Sequence, residues 1–332
     1  DCPGLNAVIR AVVRRVERGH GGTVLGFRDG WSGVIEDDAI DLDVEACRGL
    51  LPRGGTILGT SRIQPFGVDG GVEACRSTLE ARGVDALVVV GGEGTLSCAR
   101  EMHDEGLPLV GVPKTIDNDI AGTEFTFGFA TAVEIATEAI DRLHTTAESH
   151  DRVMVVEVMG RHVGHIAAWA GLAGGATVTL VPEEPFDIDE VCDRVRRRHD
   201  RGRYASIVVV AEGAVPAEGT IELPEPELDR FGHARLGGIA HQIAAEIRSR
   251  TGFETRVTIL GHVQRGGTPT AFDRVLATRF GVAAADAAVE GDLGTMSALR
   301  GGDIVQIPLE KAVGHLKVLD DGLWGTARVF FA

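Results

Sequence analysis

The sequence is short of the features that mark membrane, secreted and nucleic-acid-binding proteins. Its longest apolar runs fall well below the length of a membrane span, and its start does not resemble a signal peptide. The five cysteines form no CxxC pair and no metal-like pairing with histidine, as expected of reduced thiols. A net charge of -16 argues against nucleic acid or an anionic membrane as the main partner. These absences favour a cytoplasmic enzyme.

What the sequence does contain is an alternation of strand-like and helical patterns. At 332 residues the chain can bury a sizeable core and is expected to form two domains. The alternation is typical of a doubly wound α/β protein with mainly parallel sheets. The predicted buried strands are the apolar runs at 86–90, 107–112, 153–158, 176–181, 205–211 and 257–260. Three amphipathic helices are the clearest. The first begins near Val8 and ends at Gly19, the second begins near Phe129, and the third begins near Ile239 and ends at Gly252.

Two further stretches stand outside this alternation. Residues 215–235 are rich in Pro, Glu and Gly and are expected to form a long surface excursion. The chain opens on Asp1-Cys2-Pro3-Gly4 directly before a helical pattern, which predicts that one strand of about 5 or 6 residues, with its turn, precedes this sequence.

The segment Gly91-Gly92-Glu93-Gly94-Thr95 directly follows one of the buried runs. Glycines at the end of a strand allow backbone N–H groups to approach an anion closely, because no Cβ interferes and positive φ is allowed. A plain tight turn is the alternative, since glycine after a strand is common there. The segment alone leaves both interpretations open.

A second segment, Pro113–Asp119, follows the next run and contains two carboxylates, Asp117 and Asp119. Two acids so close together repel when ionised and favour a bound divalent cation or a cationic partner. They are also compatible with a capping turn before the helix near Phe129, and both roles can hold at once.

Three other strand ends carry charged residues beside glycine. They are Met159-Gly160-Arg161-His162, Glu212-Gly213 and Gly261–Gly267. Arginine near glycine at several strand ends favours a ligand with phosphates, because guanidinium matches phosphate oxygens in a bidentate fork. A surface arginine or a local ion pair is the alternative at each position. His162 and His165 are expected on one helix, but no third ligand at a plausible spacing supports a metal site.

Taken in order, these segments resemble the bacterial-type 6-phosphofructokinases over nearly the whole chain. The matching segments are Asp1–Ala7, Gly59–Arg62, Gly91–Thr95, Thr115–Asp119, Met159–Arg161, Ala211–Gly213 and Glu254–Gly267. The resemblance implies two Rossmann-like lobes with the active site in the cleft between them. The phosphoryl-donor lobe would comprise residues 1–128 and about 264–314. The sugar-phosphate lobe would comprise residues 129–263 and about 315–332.

The resemblance also implies Mg2+-dependent phosphoryl transfer to the 1-hydroxyl of fructose 6-phosphate, a step of glycolysis. Asp117 would be the general base, and Asp119 and Glu93 would hold Mg2+. Thr115 would hydrogen-bond the transferred group, and Arg62 would stabilise its charge. Many relatives have Asp in place of Glu93, so this difference shifts a metal ligand by about one methylene.

The residues of the phosphoryl donor site give mixed evidence on the donor. By resemblance, ATP would bind at Gly92, Gly94, Thr95 and Arg62. Glycine at position 94 is typical of ATP users, because an aspartate there would crowd and repel the α-phosphate. Lys114 is typical of pyrophosphate-dependent relatives. We weigh the steric argument more heavily and predict ATP, with pyrophosphate as the alternative.

For fructose 6-phosphate, the resemblance implies contacts from both ends of the sugar. The implied residues are Thr115, Met159, Gly160, Arg161, Glu212, His262 and Arg265 of one subunit, with Arg152 and Arg256 of a neighbour. A site shared in this way implies an oligomer, and similar enzymes are usually homotetramers, with a dimer as the alternative.

Effector control is doubtful from the sequence. Arg10, Arg14, Arg201 and Arg203 match basic positions of the family's effector pocket. Thr177 stands where allosteric relatives have a metal-chelating Glu, and His144 stands where they have Arg. Helix-face arginines paired with acids are an equally good explanation.

Two other functions compete with this prediction. A lipid or NAD kinase would share the glycine turn but lacks the Thr115–Asp119 and Gly261–Gly267 segments. A catalytically silent subunit is motivated by Glu93, but the intact Asp117, Asp119 and Arg62 argue against it.

Overall fold

Most of the apolar runs form strands of two sheets, one in each of two units. The computed structural model describes residues 1–203, 205–221 and 237–331. The first unit comprises Asp1–Thr131 and Arg265–Lys317, and the second comprises Ala132–Gln264 and Val318–Ala332. Residues 222–235 of the predicted surface excursion lie outside the described residues.

The first unit is built on a five-stranded, mainly parallel sheet with a separate two-stranded sheet. Its strands are β1 (Val24–Phe27), β2 (Ala39–Leu42), β3 (Leu87–Gly91), β4 (Leu109–Thr115), β5 (Phe127–Gly128), β10 (Thr295–Arg300) and β11 (Asp303–Pro308). The order in the larger sheet is β11-β10-β4-β3, with β5 also paired to β4. Only the β10–β11 pair of this sheet is antiparallel.

Helices cover this sheet and bury its apolar side chains. They are α1 (Leu5–Arg15), α2 (Trp31–Glu36), α3 (Gly71–Arg82), α4 (Glu93–Asp104) and α9 (Ala271–Glu290). The main core packs fully buried side chains of α4, such as Leu96 and Met102, against Leu109 of β4 and Met296 of β10. Side chains of β3, β4, β10 and β11 all contribute to this core, which anchors the strands whose carboxyl ends lead into the candidate loops.

The second unit contains a four-stranded, entirely parallel sheet in the order β7-β8-β6-β9. Its strands are β6 (Val153–Val158), β7 (Val178–Leu180), β8 (Ser206–Ala211) and β9 (Thr255–Ile259). Its helices are α6 (His165–Ala173), α7 (Ile188–Asp200), α8 (Ile239–Thr251) and α10 (Asp321–Phe330), together with α5 (Phe129–His150), which begins in the first unit. Every residue of β6 and β8 is buried, as expected for central strands of a parallel sheet.

Three details differ from the sequence-based predictions. The strand at 257–260 is not buried: β9 is the edge strand of its sheet, and Ile259 is 44% exposed. The first helix ends at Gly21 rather than Gly19, because α1 continues through a π-helical turn and Gly21 adopts a left-handed φ of 68°. His162 precedes α6, so His162 and His165 do not share a helix.

All five cysteines are free and buried. Burial raises the pKa of the Cys75 thiol to about 11 and that of Cys98 to about 12, so both remain protonated and unreactive at neutral pH. Across the described parts of the chain, no helix is both long and apolar enough to cross a bilayer.

Candidate active site

The candidate residues of the first unit follow β3 and β4, which are parallel neighbours. Gly91 at the end of β3 pairs with Pro113 of β4. A Cβ added to Gly92 would lie 3.4 Å from the carbonyl oxygen of Lys114. The two loops therefore lie side by side at the carboxyl edge of the sheet, where open α/β sheets bind ligands.

The loop after β3 leads directly into a helix. Gly92 is the N-cap of α4, which begins at Glu93. Neither Gly91 nor Gly92 has a positive φ, so the freedom of glycine to adopt that conformation is not what the loop uses. The loop instead uses the small size of glycine, because a Cβ on Gly91 would lie 2.3 Å from the Cβ of Thr95. The unpaired N–H groups at the start of α4 leave this loop able to bind an anion.

Gly94 lies in the first turn of α4 and faces open space. The nearest atom to an added Cβ is Nε2 of Gln64, at 3.8 Å, and this amide donates to the Gly94 carbonyl oxygen at 3.2 Å. Glu93 accepts a hydrogen bond from Ser97 Oγ at 2.9 Å, one helical turn along. A side chain at position 94 would therefore fit the protein itself, and any clash would be with a ligand.

The loop after β4 is a tight turn that carries Asp117 and Asp119. Thr115 Oγ1 accepts a hydrogen bond from the Asp117 N–H at 3.1 Å, and Thr126 Oγ1 donates to the Thr115 carbonyl oxygen at 2.8 Å. Both aspartates are half-buried. Between them Asn118 is buried and has a φ of 54°, a left-handed conformation that asparagine tolerates better than most residues. The turn aims the two carboxylates from a fixed backbone.

Asn118 is held from two directions. Its Oδ1 accepts hydrogen bonds from the Thr126 N–H at 3.0 Å and from Lys317 Nζ at 2.9 Å. Lys317 also donates to the carbonyl oxygens of Thr123 at 3.0 Å and Glu124 at 2.8 Å. Its backbone N–H donates to the Asp119 carbonyl oxygen at 2.9 Å.

The acidic residues of these loops fit a magnesium ion. Oδ1 of Asp119 is buried and receives no hydrogen bond from any residue that the structure describes. Within that same part of the chain, no cluster of three or more His, Cys, Asp or Glu side chains could form an all-protein metal site. Magnesium does not need one, because it keeps several waters and is bound by one or two carboxylates plus substrate phosphates.

Two further predicted donor-side residues are Lys114 and Arg62. Lys114 is half-buried at the end of β4, next to Thr115. Arg62 is exposed in the segment between β2 and the 3-10 turn Pro65–Gly67, where Ser61 Oγ anchors the chain by donating to the Asp29 carbonyl oxygen at 2.7 Å.

In the second unit, the segments that follow β6 and β8 are packed together. The Glu212 N–H donates to the Val158 carbonyl oxygen at 2.9 Å, and the Gly213 N–H donates to that of Gly160 at 3.1 Å. A Cβ on Gly213 would lie 1.9 Å from the Arg161 carbonyl oxygen. The structure thus brings four predicted sugar-binding residues together, Met159, Gly160, Arg161 and Glu212.

The turn that carries His262 is tied to this group through Gln264. The fully buried Gln264 accepts a hydrogen bond from the Met159 N–H at 3.3 Å and donates to the Gly261 carbonyl oxygen at 3.0 Å. His262 is exposed. Arg265, the last residue of the 3-10 turn Gly261–Arg265, belongs to the first unit, and its Nε is buried with no acceptor among the described residues.

The remaining predicted sugar-phosphate residues, Arg152 and Arg256, share one carboxylate. Arg152 Nε donates to Glu254 Oε2 at 2.9 Å, and Arg256 Nη2 donates to Glu254 Oε1. Arg256 Nη1 donates to the Thr255 carbonyl oxygen at 2.9 Å. The hydrogen bond from Arg152, with the nearby positive charges, lowers the pKa of the Glu254 carboxyl. The two guanidinium groups are therefore held together at the start of β6 and β9.

Sequence reasoning overlooked three residues that organise these groups, Lys317, Gln264 and Glu254. Gln264 and Glu254 lie inside recognised segments but had no role assigned. Lys317 had one usable signal: the sequence contains only three lysines, Lys114, Lys311 and Lys317.

The predicted effector residues are divided between the units. Arg10 and Arg14 line a cavity of about 210 Å³ in the first unit, together with Arg18, Arg48 and Glu45. Arg201 and Arg203 belong to the second unit. Thr177 Oγ1 accepts a hydrogen bond from the Ile207 N–H, and His144 bonds to the Gly174 carbonyl oxygen at 2.6 Å. Both of the residues that depart from the allosteric pattern therefore serve internal contacts.

Comparison with known proteins identifies the family of this chain. The phosphofructokinase family model matches residues 1–288. The chain belongs to the phosphofructokinase family. It is 58% identical over 332 residues to a pyrophosphate–fructose 6-phosphate 1-phosphotransferase of Streptomyces coelicolor, covering all of this chain and 97% of that protein. It is 56% identical over 332 residues to an ATP-dependent 6-phosphofructokinase of Corynebacterium efficiens, covering all of this chain and 96% of that protein.

Solved structures of the family have the same fold. Phosphofructokinase of Pichia pastoris in the T-state matches with a TM-score of 0.84 at 32% identity, over 99% of this chain and 35% of that one. A pyrophosphate-dependent phosphofructokinase of Marinobacter aquaeolei matches in fold, with a TM-score of 0.82 at 24% identity, over 96% of this chain and 83% of that one.

Proposed function

We propose that this chain is an ATP-dependent 6-phosphofructokinase, which transfers the γ-phosphoryl group of ATP to the 1-hydroxyl of fructose 6-phosphate. The observation that carries the proposal is the turn after β4, which fixes Asp117 and Asp119 on either side of a left-handed Asn118. Phosphoryl transfer to an alcohol uses a positioned base and a bound metal ion, and the two carboxylates of this turn could supply both.

In this proposal Asp117 takes the proton of the 1-hydroxyl as it attacks the phosphoryl group. The carboxylate needs to lie within hydrogen-bond reach of that proton, and it needs no raised pKa. Asp119 and Glu93 would hold Mg2+, which when bound neutralises charge on the donor phosphates. Thr115 and Arg62 would stabilise the transferred group, and the donor would lie against Gly92, Gly94 and Thr95.

The sugar phosphate would bind to residues of the second unit and to Arg265, with which the first unit resumes. Glu212 would accept hydrogen bonds from sugar hydroxyls, and Met159, Gly160 and Arg161 would line the sugar. The 6-phosphate would bind His262 and Arg265, with Arg152 and Arg256 supplied by a neighbouring copy. The functional form would then be an oligomer, a homotetramer or a dimer, located in the cytoplasm.

ATP is preferred as donor because position 94 is open to a ligand. Nothing within 3.8 Å of an added Cβ competes for this space, so a large donor can approach the start of α4. Pyrophosphate is the second candidate, favoured by Lys114 and by the names of relatives such as the Streptomyces coelicolor protein.

A coupled assay with fructose 6-phosphate, run in parallel with ATP and with pyrophosphate, tests the proposal. Formation of fructose 1,6-bisphosphate from ATP supports it. Turnover with pyrophosphate alone would overturn the choice of donor. No turnover with either donor would favour a catalytically silent subunit.

A further inference from the structure

We infer that Lys317 is a positioning residue for the loop that carries Asp117 and Asp119. The inference rests on the proposed function, in which these two carboxylates are the base and a metal ligand. Lys317 lies about 200 residues away in sequence, and it reaches the loop both through its backbone and through its side chain.

The side-chain contact is unusually complete. An ammonium group has three donors, and Lys317 uses one for each of three oxygens: Asn118 Oδ1, the Thr123 carbonyl and the Glu124 carbonyl, at 2.8–3.0 Å. All three acceptors are neutral. These three bonds tie the ammonium to both ends of the segment between Asn118 and Glu124.

The Asn118 side chain transmits this contact to the loop. Asn118 has a left-handed backbone, and its Oδ1 accepts hydrogen bonds from the Thr126 N–H, the Thr126 hydroxyl and Lys317 Nζ. Without Lys317, the side chain keeps its bonds with Thr126 and a long bond from Nδ2 to the Glu124 carbonyl oxygen at 3.5 Å, an oxygen that Lys317 also holds. Because Asn118 joins Asp117 to Asp119, any rotation at this residue moves both carboxylates.

The backbone of the same segment fixes the far side of the loop. The Lys317 N–H donates to the Asp119 carbonyl oxygen at 2.9 Å, and Leu316 forms an antiparallel bridge with Ile120. The loop is therefore bounded by β4 at its start and by residues 316–317 at its end.

The decisive variant is Lys317→Met, which keeps the length of the side chain and removes the ammonium. We expect kcat to fall by about 100-fold, because a misplacement of about 1 Å at reacting groups has that effect. The KM for fructose 6-phosphate should stay within about threefold, and the Mg2+ concentration for half-maximal rate should rise. Lys317→Arg keeps the charge but not the three-pronged geometry, and it should recover part of the loss.

A second measurement does not depend on activity. Hydrogen exchange of the backbone amides in residues 116–126, followed by mass spectrometry without Mg2+ or substrates, should be about tenfold faster in Lys317→Met. The matched control is Lys311→Met, which makes the same chemical change at an exposed lysine of the same unit. Its exchange and kinetics should match those of the wild type.

Asn118→Gly keeps the positive φ and removes the acceptor, so it should reproduce both effects. The losses should be less than additive in the double variant, because both single variants remove the bond between Lys317 Nζ and Asn118 Oδ1. The inference would be overturned if the backbone amides of Lys317→Met exchanged at the wild-type rate, whether or not kcat fell. If Lys317→Met does not fold, wild-type exchange in Asn118→Gly overturns it. An inactive wild-type protein would overturn the proposed function and leave the exchange result to decide the inference.

Discussion

The candidate residues of the two units are held in different ways. In the first unit the loop that carries Asp117 and Asp119 is fixed by hydrogen bonds to neutral acceptors, and Oδ1 of Asp119 is buried without a hydrogen bond from any described residue. In the second unit two arginines are held by a shared carboxylate, Glu254, on a partly exposed surface. Under the proposed function, this difference suits the first unit to turnover and the second to holding an anion, and each role can be tested separately.

The largest expected effect is on the first unit's base. Asp117→Asn should lower kcat by about 1,000-fold, because it removes the proton acceptor while keeping the shape of the side chain. Both KM values should change little, since the role is confined to the transition state. The coupled assay measures both quantities, with Asp69→Asn, an exposed carboxylate of the same unit, as control. An unchanged kcat would exclude Asp117 as the base.

The next effect concerns the donor. Gly94→Asp should reduce kcat/KM for ATP by about 100-fold, because like charges brought together cost several kcal/mol. The protein has room for a Cβ at position 94, so we expect this variant to fold normally and to keep the melting temperature of the wild type. Gly94→Ala adds bulk without charge and separates the two contributions. ATP kinetics that do not change in Gly94→Asp would show that the steric argument is wrong.

In the second unit the expected effect falls on substrate affinity. Glu254→Gln should raise the KM for fructose 6-phosphate about tenfold, because the two guanidinium groups lose the charge that holds them together. The kcat and the KM for the donor should stay near wild type. Glu246→Gln is the matched control, since Glu246 forms an ion pair of similar length with Arg250 in the same unit. A lower KM in Glu254→Gln would mean that the carboxylate competes with the phosphate.

The smallest effect separates the two glycines that flank the start of α4. Gly91→Ala should destabilise the protein by about 1–3 kcal/mol, because its Cβ would overlap the Thr95 side chain. Gly94→Ala should stay within about 0.5 kcal/mol. Thermal unfolding of the two variants measures the difference. Equal melting temperatures would show that Gly91 is not needed for packing.

Much of the fold could be predicted from local pattern. The runs at 153–158 and 205–211 are unbroken and β-branched, and they form the two central strands of the second sheet. The run at 257–260 has a similar composition but forms an edge strand. The position of a strand in a sheet depends on which other strands pair with it. A single apolar run does not contain that information.

The candidate site could be predicted to a similar extent as the fold. Asp117, Asp119, Gly94 and the segment at 159–161 were identified because their residue types are grouped within a few positions. The supports of these residues come from distant parts of the chain: Lys317 for Asn118, Gln264 for Met159, and Glu254 for Arg152. Their hydrogen bonds span from 102 to 199 residues, so no local spacing could reveal them.

The sequence by itself determined the family, the alternation of strands and helices, and the candidate residues for the chemistry. These follow from residue types and short spacings, which act through local backbone preference and periodic burial. Only the tertiary structure decided why Gly91 must be glycine, what holds the left-handed turn between the two aspartates, and that one carboxylate joins two arginines. Each of these depends on atoms brought within a few ångströms by folding, and that proximity exists only once the sheets have formed.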